Sequence, residues 1–153
     1  MTPNKMRKQN HHKHLANPMG GLALLNRRTR APLDETQLRD LGLAYLGALR
    51  GMTTGHGNEQ QWSTLACSIN VAMVLAELGV MPQGLQVINL GQAALLRVKA
   101  HAQQSGEWTL GVHAFAIECA FKFHNQQLKE ASKGQIICAL EEVHCRVDAG
   151  QHL

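Results

Sequence analysis

Residues 58 to 79, NEQQWSTLACSINVAMVLAELG, decide the fold class of this chain. Turned at about 100° per residue from Trp62, Leu65, Ala66, Ile69, Met73 and Ala76 form one apolar stripe, and Val71, Val74, Leu75 and Leu78 fall on the opposite side. A helix that is apolar nearly all round is buried among others, so the stretch predicts the spine of an all-α bundle. Asn58, with Gln61 three residues on, makes a capping-box pattern at its start, and Gly79 stops it. Ser63, Asn70 and Glu77 form its only continuous polar line. Asn70 is expected there as a seam residue that fixes helix register.

Outward from the spine, the same periodicity recurs. Asp34 can cap a helix over 35 to 50 with Gly51 just past its end, and Leu38, Leu41, Tyr45, Leu46 and Leu49 make its apolar stripe. The loop 52 to 57, MTTGHG, lacks the spacing of a phosphate-binding fingerprint and follows no strand, so it reads as a plain interhelical turn. A third helix runs from about 82 to 104 with Ile88, Leu95 and Val98 inward, ended by Ser105-Gly106. A fourth covers roughly 109 to 131, with Leu110, Ile117, Phe121 and Leu128 on one stripe and Phe115, Cys119 and Phe123 behind. Ser132 with Gln135 is a second capping box, opening a last helix to about 148 that carries Ile136, Leu140, Val143 and Val147. The prediction is a single bundle of about five helices over residues 31 to 153, with sequence neighbours antiparallel because their connections are short.

At 153 residues the chain is sized for one domain with a real core. Aromatics make up only 4%, which disfavours a β-sandwich. No apolar run has transmembrane length, and the basic N-terminus lacks the apolar region of a signal peptide. The expectation is a cytoplasmic protein with no membrane contact.

The charge is unevenly placed. Residues 1 to 30 hold Lys5, Arg7, Lys8, Lys13, Arg27, Arg28 and Arg30 and no acid. That takes seven of the chain's 15 Lys and Arg, leaving eight against all 11 acids in residues 31 to 153. Residues 1 to 16 also lack apolar periodicity and read as a flexible basic arm, followed by Asn17-Pro18 and a short, weak docking helix near 18 to 26 with Leu22, Leu24 and Leu25. Such an arm is drawn to phosphate and binds it with strong salt dependence. No Trp, Tyr or Phe interleaves the cations, so base stacking is not indicated. Two partners fit: nucleic acid, DNA or RNA, through the seven cations, or an acidic surface on a host protein. The wide apolar surface of several helices leaves room for a homodimer.

Catalytic and metal chemistry find little support. His113 and His124 share a stripe but stand about 16 Å apart along the helix, which makes each a hydrogen-bonded boundary histidine rather than a ligand. Glu141 and His144 form a single Glu-x-x-His, where a di-iron bundle needs two such motifs and two more glutamates. His11, His12 and His14 add pH-dependent charge to the arm. Cys67, Cys119, Cys138 and Cys145 include no CxxC pair and read as reduced structural thiols. Ser63 and Ser68 lie inside a predicted helix with no nucleophile elbow around them. The expectation is therefore no metal, no cofactor and no enzymatic activity. Residues 75 to 80 followed by Pro82, Gln83, Gln86, Asn89 and Gln92 look like a helix-turn-helix. Leu75 stands where that motif usually has alanine, however, and the supposed reading helix has no base before Arg97.

The basic arm, Asn17-Pro18-Met19, Leu49-Arg50-Gly51, Thr54-x-x-Gly57 and the run from Gln61 to Ala72 together resemble small uncharacterised proteins of proteobacterial prophages and other mobile elements. The resemblance covers most of the chain. It implies a cytoplasmic accessory role during phage or plasmid life, exercised by binding a host or phage macromolecule.

Overall fold

The structure, a computed structural model, describes residues 29 to 151. Five helices make an all-α fold: α1 (Glu35–Thr53), α2 (Glu59–Glu77), α3 (Leu85–Ser105), α4 (Ala114–Glu130) and α5 (Lys133–Asp148). Short 3-10 turns precede α3 (Pro82–Gly84) and α4 (Gly111–His113). Among the described residues no strand forms, and Pro32 and Ser132 make an isolated antiparallel bridge.

α2 is the spine that its two apolar faces require. It packs against each of the other four helices, so Leu65, Ile69, Val71, Val74 and Leu75 are all buried. Leu78 departs from the expected pattern and is 46% exposed, because it lies past the last turn of α2. Trp62 anchors the spine sideways. Its indole N–H donates to the Leu95 carbonyl at 2.9 Å, and Lys99 Nζ sits 4.7 Å from its ring centroid.

Helix ends follow the capping residues, with two corrections. Asp34 closes a complete capping box with Gln37, and Ser132 does the same with Gln135. At α2 only half the box forms: the Gln61 N–H donates to Asn58 Oδ1 at 2.8 Å, but the Gln61 side chain turns away onto Gly51 of α1, where a Cβ would overlap it. Gly51 is accordingly not the stop of α1. The helix runs on to Thr53, and Gly55, with φ +80°, supplies the left-handed residue that ends it. The His56 N–H then donates to the Gly51 carbonyl at 3.0 Å, closing the last turn.

α4 begins later than its periodicity predicts. The Leu110 N–H donates to the Met52 carbonyl at 3.2 Å and its side chain is 1% exposed, so the chain is pinned to the end of α1 before a helix can start. Ile117, Phe121 and Leu128 face the core as expected, while Phe115 is 79% exposed. α3 and α4 approach closely at Gly91, where a Cβ would collide with that of Ala120. α5 packs chiefly on α2, not on α4, although residues 131 and 132 alone join it to α4. Ile136, Leu140 and Val143 are buried as expected, and Val147, near the helix end, is 44% exposed.

Candidate functional site

Thr29 and Ala31, the start of the described residues, are tied to the start of α5 by main chain. The Lys133 N–H donates to the Ala31 carbonyl at 2.8 Å, and the Gly134 N–H donates to the Thr29 carbonyl at 2.9 Å. The Gln135 N–H goes to Ser132 Oγ at 3.2 Å. These are N–H groups that a helix start leaves unpaired; here Ala31 and Thr29 take two of them and the Ser132 cap the third, so the start of α5 is not an anion site. Leu33, just after them, is buried in the hydrophobic core. Arg30, between the two clasped residues, is exposed. Lys5, Arg7, Lys8, Lys13, Arg27 and Arg28 lie outside the described residues, as do the expected docking helix near 18 to 26 and the histidine tract.

The polar line of α2 resolves into a seam. Gln92 Nε2 donates to Asn70 Oδ1 at 3.1 Å, joining α2 to α3. The Arg146 guanidinium donates to both Glu77 oxygens at 3.2 and 2.5 Å, joining α2 to α5, and its Nε donates to Glu142 at 2.8 Å. Asn70, Gln92 and Arg146 border a groove of about 340 Å³. Two carboxylates hold its single guanidinium, so this groove does not suit phosphate. A second groove, of about 420 Å³, lies between α1 and α4 and is lined by Tyr45, Leu46, Leu49 and Phe121 with Arg50, Glu118 and Lys122. The seven-residue spacing of Asn70 and Glu77 points to this seam, as expected. Nothing in the local sequence singles out Arg146.

The fully buried Gln127 was also not legible as a key residue. Its amide nitrogen donates to the carbonyls of Ala72 and Val80, both at 3.1 Å. Its oxygen therefore faces His124, whose Nδ1–H donates to it at 3.3 Å. His124 is thus an interior residue rather than the boundary histidine expected, because α4 turns this face onto Tyr45 of α1, with its own Phe121 packed edge-on beside the ring. His113 is half-buried, as expected. Burial pushes the His124 pKa down to about 4, against a smaller upward pull from the Gln127 bond. The unfolded chain takes up a proton near the ordinary value of 6.5 and the folded one does not until about 4, so the stability that neutral His124 contributes is present above pH 6.5 and is lost as pH falls towards 4. The loss reaches on the order of 3 kcal/mol. Urea midpoints between pH 7 and 5 are expected to fall in the native chain and to flatten in His124→Gln; an equal slope in both would rule out this origin.

Among the described residues no group of three or more His, Cys, Asp and Glu is placed to hold a metal ion. Glu141 is half-buried and His144 exposed. Cys67, Cys119 and Cys138 are half-buried free thiols, whereas Cys145 is exposed, a departure from the buried role expected of it. Burial raises the Cys67 pKa. In the helix-turn-helix region, α3 is packed along its length between α2 and α4. Gln83, Gln86 and Asn89 are exposed, while Gln92 is committed to Asn70. The turn itself needs a left-handed residue at Met81, φ 51°, just before Pro82. No described helix is long and apolar enough to cross a membrane.

No protein-family model matches the chain, and no match was found among curated proteins or solved structures.

Proposed function

We propose that this protein acts by binding, holding nucleic acid on its basic arm with the helical bundle as platform. The observation that carries this reading is the charge division: seven cations and no acid in residues 1 to 30, against a body whose acids outnumber its bases by 11 to eight. A polyanion is attracted by the arm and repelled by the body, so contact concentrates on Lys5, Arg7, Lys8, Lys13, Arg27, Arg28 and Arg30. The clasp at Thr29 and Ala31 supports the reading, since it fixes where the arm leaves the body and keeps Arg30 in solvent. The reading assigns no catalytic step, cofactor or metal. His124, whose pKa is strongly shifted, is sealed in the core away from any substrate. A cytoplasmic accessory role in phage or plasmid life rests on the resemblance to prophage proteins.

The alternative is an acidic surface of a host protein, such as a defence or transcription component, drawn by the same charge. It is favoured by the absence of aromatic residues among the arm cations, which removes base stacking as a source of affinity. Salt separates nucleic acid from a weak surface effect. If all seven cations lie on duplex phosphates, the logarithm of the binding constant falls with that of salt at a slope of roughly −6. Arg30→Gln is expected to reduce that slope by about 1. A slope near zero in the native chain, measured by fluorescence anisotropy, sinks the reading.

A further inference from the structure

The groove between α2, α3 and α5 holds a pair of amides that is only half used. Asn70 and Gln92 spend one hydrogen bond on each other, Gln92 Nε2 donating to Asn70 Oδ1 at 3.1 Å. Asn70 Nδ2 and Gln92 Oε1 make no further bond among the described residues, and neither is sealed from solvent. Exchanging O and N in both amides changes nothing, because one donor and one acceptor again stay open. Around them the groove, about 340 Å³, is walled by Met73, Val74, Leu96 and Val143. An apolar wall with a few placed polar groups is what small-molecule sites have in common. Arg146, also in the lining, is held by its edge: Nη1 and Nη2 donate to Glu77 and Nε to Glu142. What it offers a ligand is chiefly the flat face of the guanidinium, a stacking surface for planar rings.

We propose that this groove binds a nucleobase, its hydrogen-bonding edge on Asn70 and Gln92 and its ring against Arg146 and the apolar walls. A base edge with an N–H beside an acceptor makes two bonds to the open amide pair, as bases do with Asn and Gln side chains. A trans peptide group cannot, since its N–H and C=O point in opposite directions. The two carboxylates on Arg146 outweigh its single positive charge, which disfavours a ligand whose phosphate lies close to its ring. The base therefore arrives as a nucleoside, or as an unpaired base of a strand whose phosphates stay outside. The site does not depend on the arm, and nucleoside binding is expected to survive neutralisation of the seven arm cations.

Titration of the full chain with uridine, cytidine, adenosine and inosine, followed by the NMR signals of side-chain amides, tests it. At least one nucleoside is expected to shift the Asn70 and Gln92 amides at millimolar concentration or below. Blocking the base edge of that nucleoside by N-methylation is expected to weaken its binding by about tenfold or more. Gln92→Met keeps the wall and removes the amide, and is expected to lose about as much with helical circular dichroism unchanged. A single-stranded oligonucleotide at high salt, where the arm is screened, separates the two sources: binding tighter than the nucleoside marks a strand base, and binding no tighter marks a free nucleoside. Amides that no nucleoside shifts at millimolar concentration overturn the proposal. So does binding indifferent to N-methylation, or benzamide bound as tightly as the nucleosides, which would make a plain carboxamide the ligand.

Discussion

Gln127→Ala is expected to cost the bundle on the order of 4 kcal/mol. The side chain is fully buried and touches three elements at once: the backbone of α2 at Ala72, the turn at Val80 and the His124 ring on its own helix. Removing it leaves the Val80 carbonyl and the His124 N–H facing a void. Each stranded group costs roughly 1 to 3 kcal/mol, and the lost volume adds a cavity penalty. Gln127→Met fills most of the space without restoring the bonds, so it isolates the polar part and is expected to lose about half as much. Domains of this kind are stable by only about 5 to 15 kcal/mol, so the substitution removes between roughly a quarter and most of the total. Urea unfolding followed by circular dichroism measures both. A loss under 1 kcal/mol for the alanine variant would mean that water replaces the amide, and the pinning role would fall.

The second large effect is on binding. Replacing Lys5, Arg7, Lys8, Lys13, Arg27, Arg28 and Arg30 together by glutamine should lower duplex affinity by about a thousandfold or more near 0.1 M salt and flatten its salt dependence. The fold should not change, because the clasp that roots the arm uses the main chain of Thr29 and Ala31, and the Arg30 side chain is exposed. An unchanged duplex affinity in the neutralised chain would remove the arm from the binding surface altogether. A stoichiometric complex from host lysate that survives nuclease and disappears on neutralisation would instead move the partner to an acidic protein surface.

How far local pattern reaches is visible in individual residues. The two faces of α2 were readable because a helix buried on all sides must be apolar on all sides. The starts of α1 and α5 were readable because Asp34 and Ser132 satisfy N–H groups within their own turn. Gly51 misled, since a glycine near a helix end marks either a stop or a close approach. Here the Gln61 side chain, ten residues away, occupies the space a Cβ would need. Asn70 was recognised as a seam residue by its spacing, but its partner Gln92 comes from a different helix. The seven arm cations could be counted but not arranged, and Arg30 alone of them falls within the described residues.

By itself, then, the sequence determined the helical class, the spine, the stripes of Ile88, Leu95, Ile117 and Leu128, and the division of charge between arm and body. Each is a property of spacing along one segment, which helix geometry turns directly into a face. Only the tertiary structure decided that α5 packs on α2, that Gln127 and His124 are interior while Phe115 is not, and that the arm's root closes the start of α5. Those outcomes depend on which segments meet across the bundle, and the period of a single helix carries no information about its neighbours.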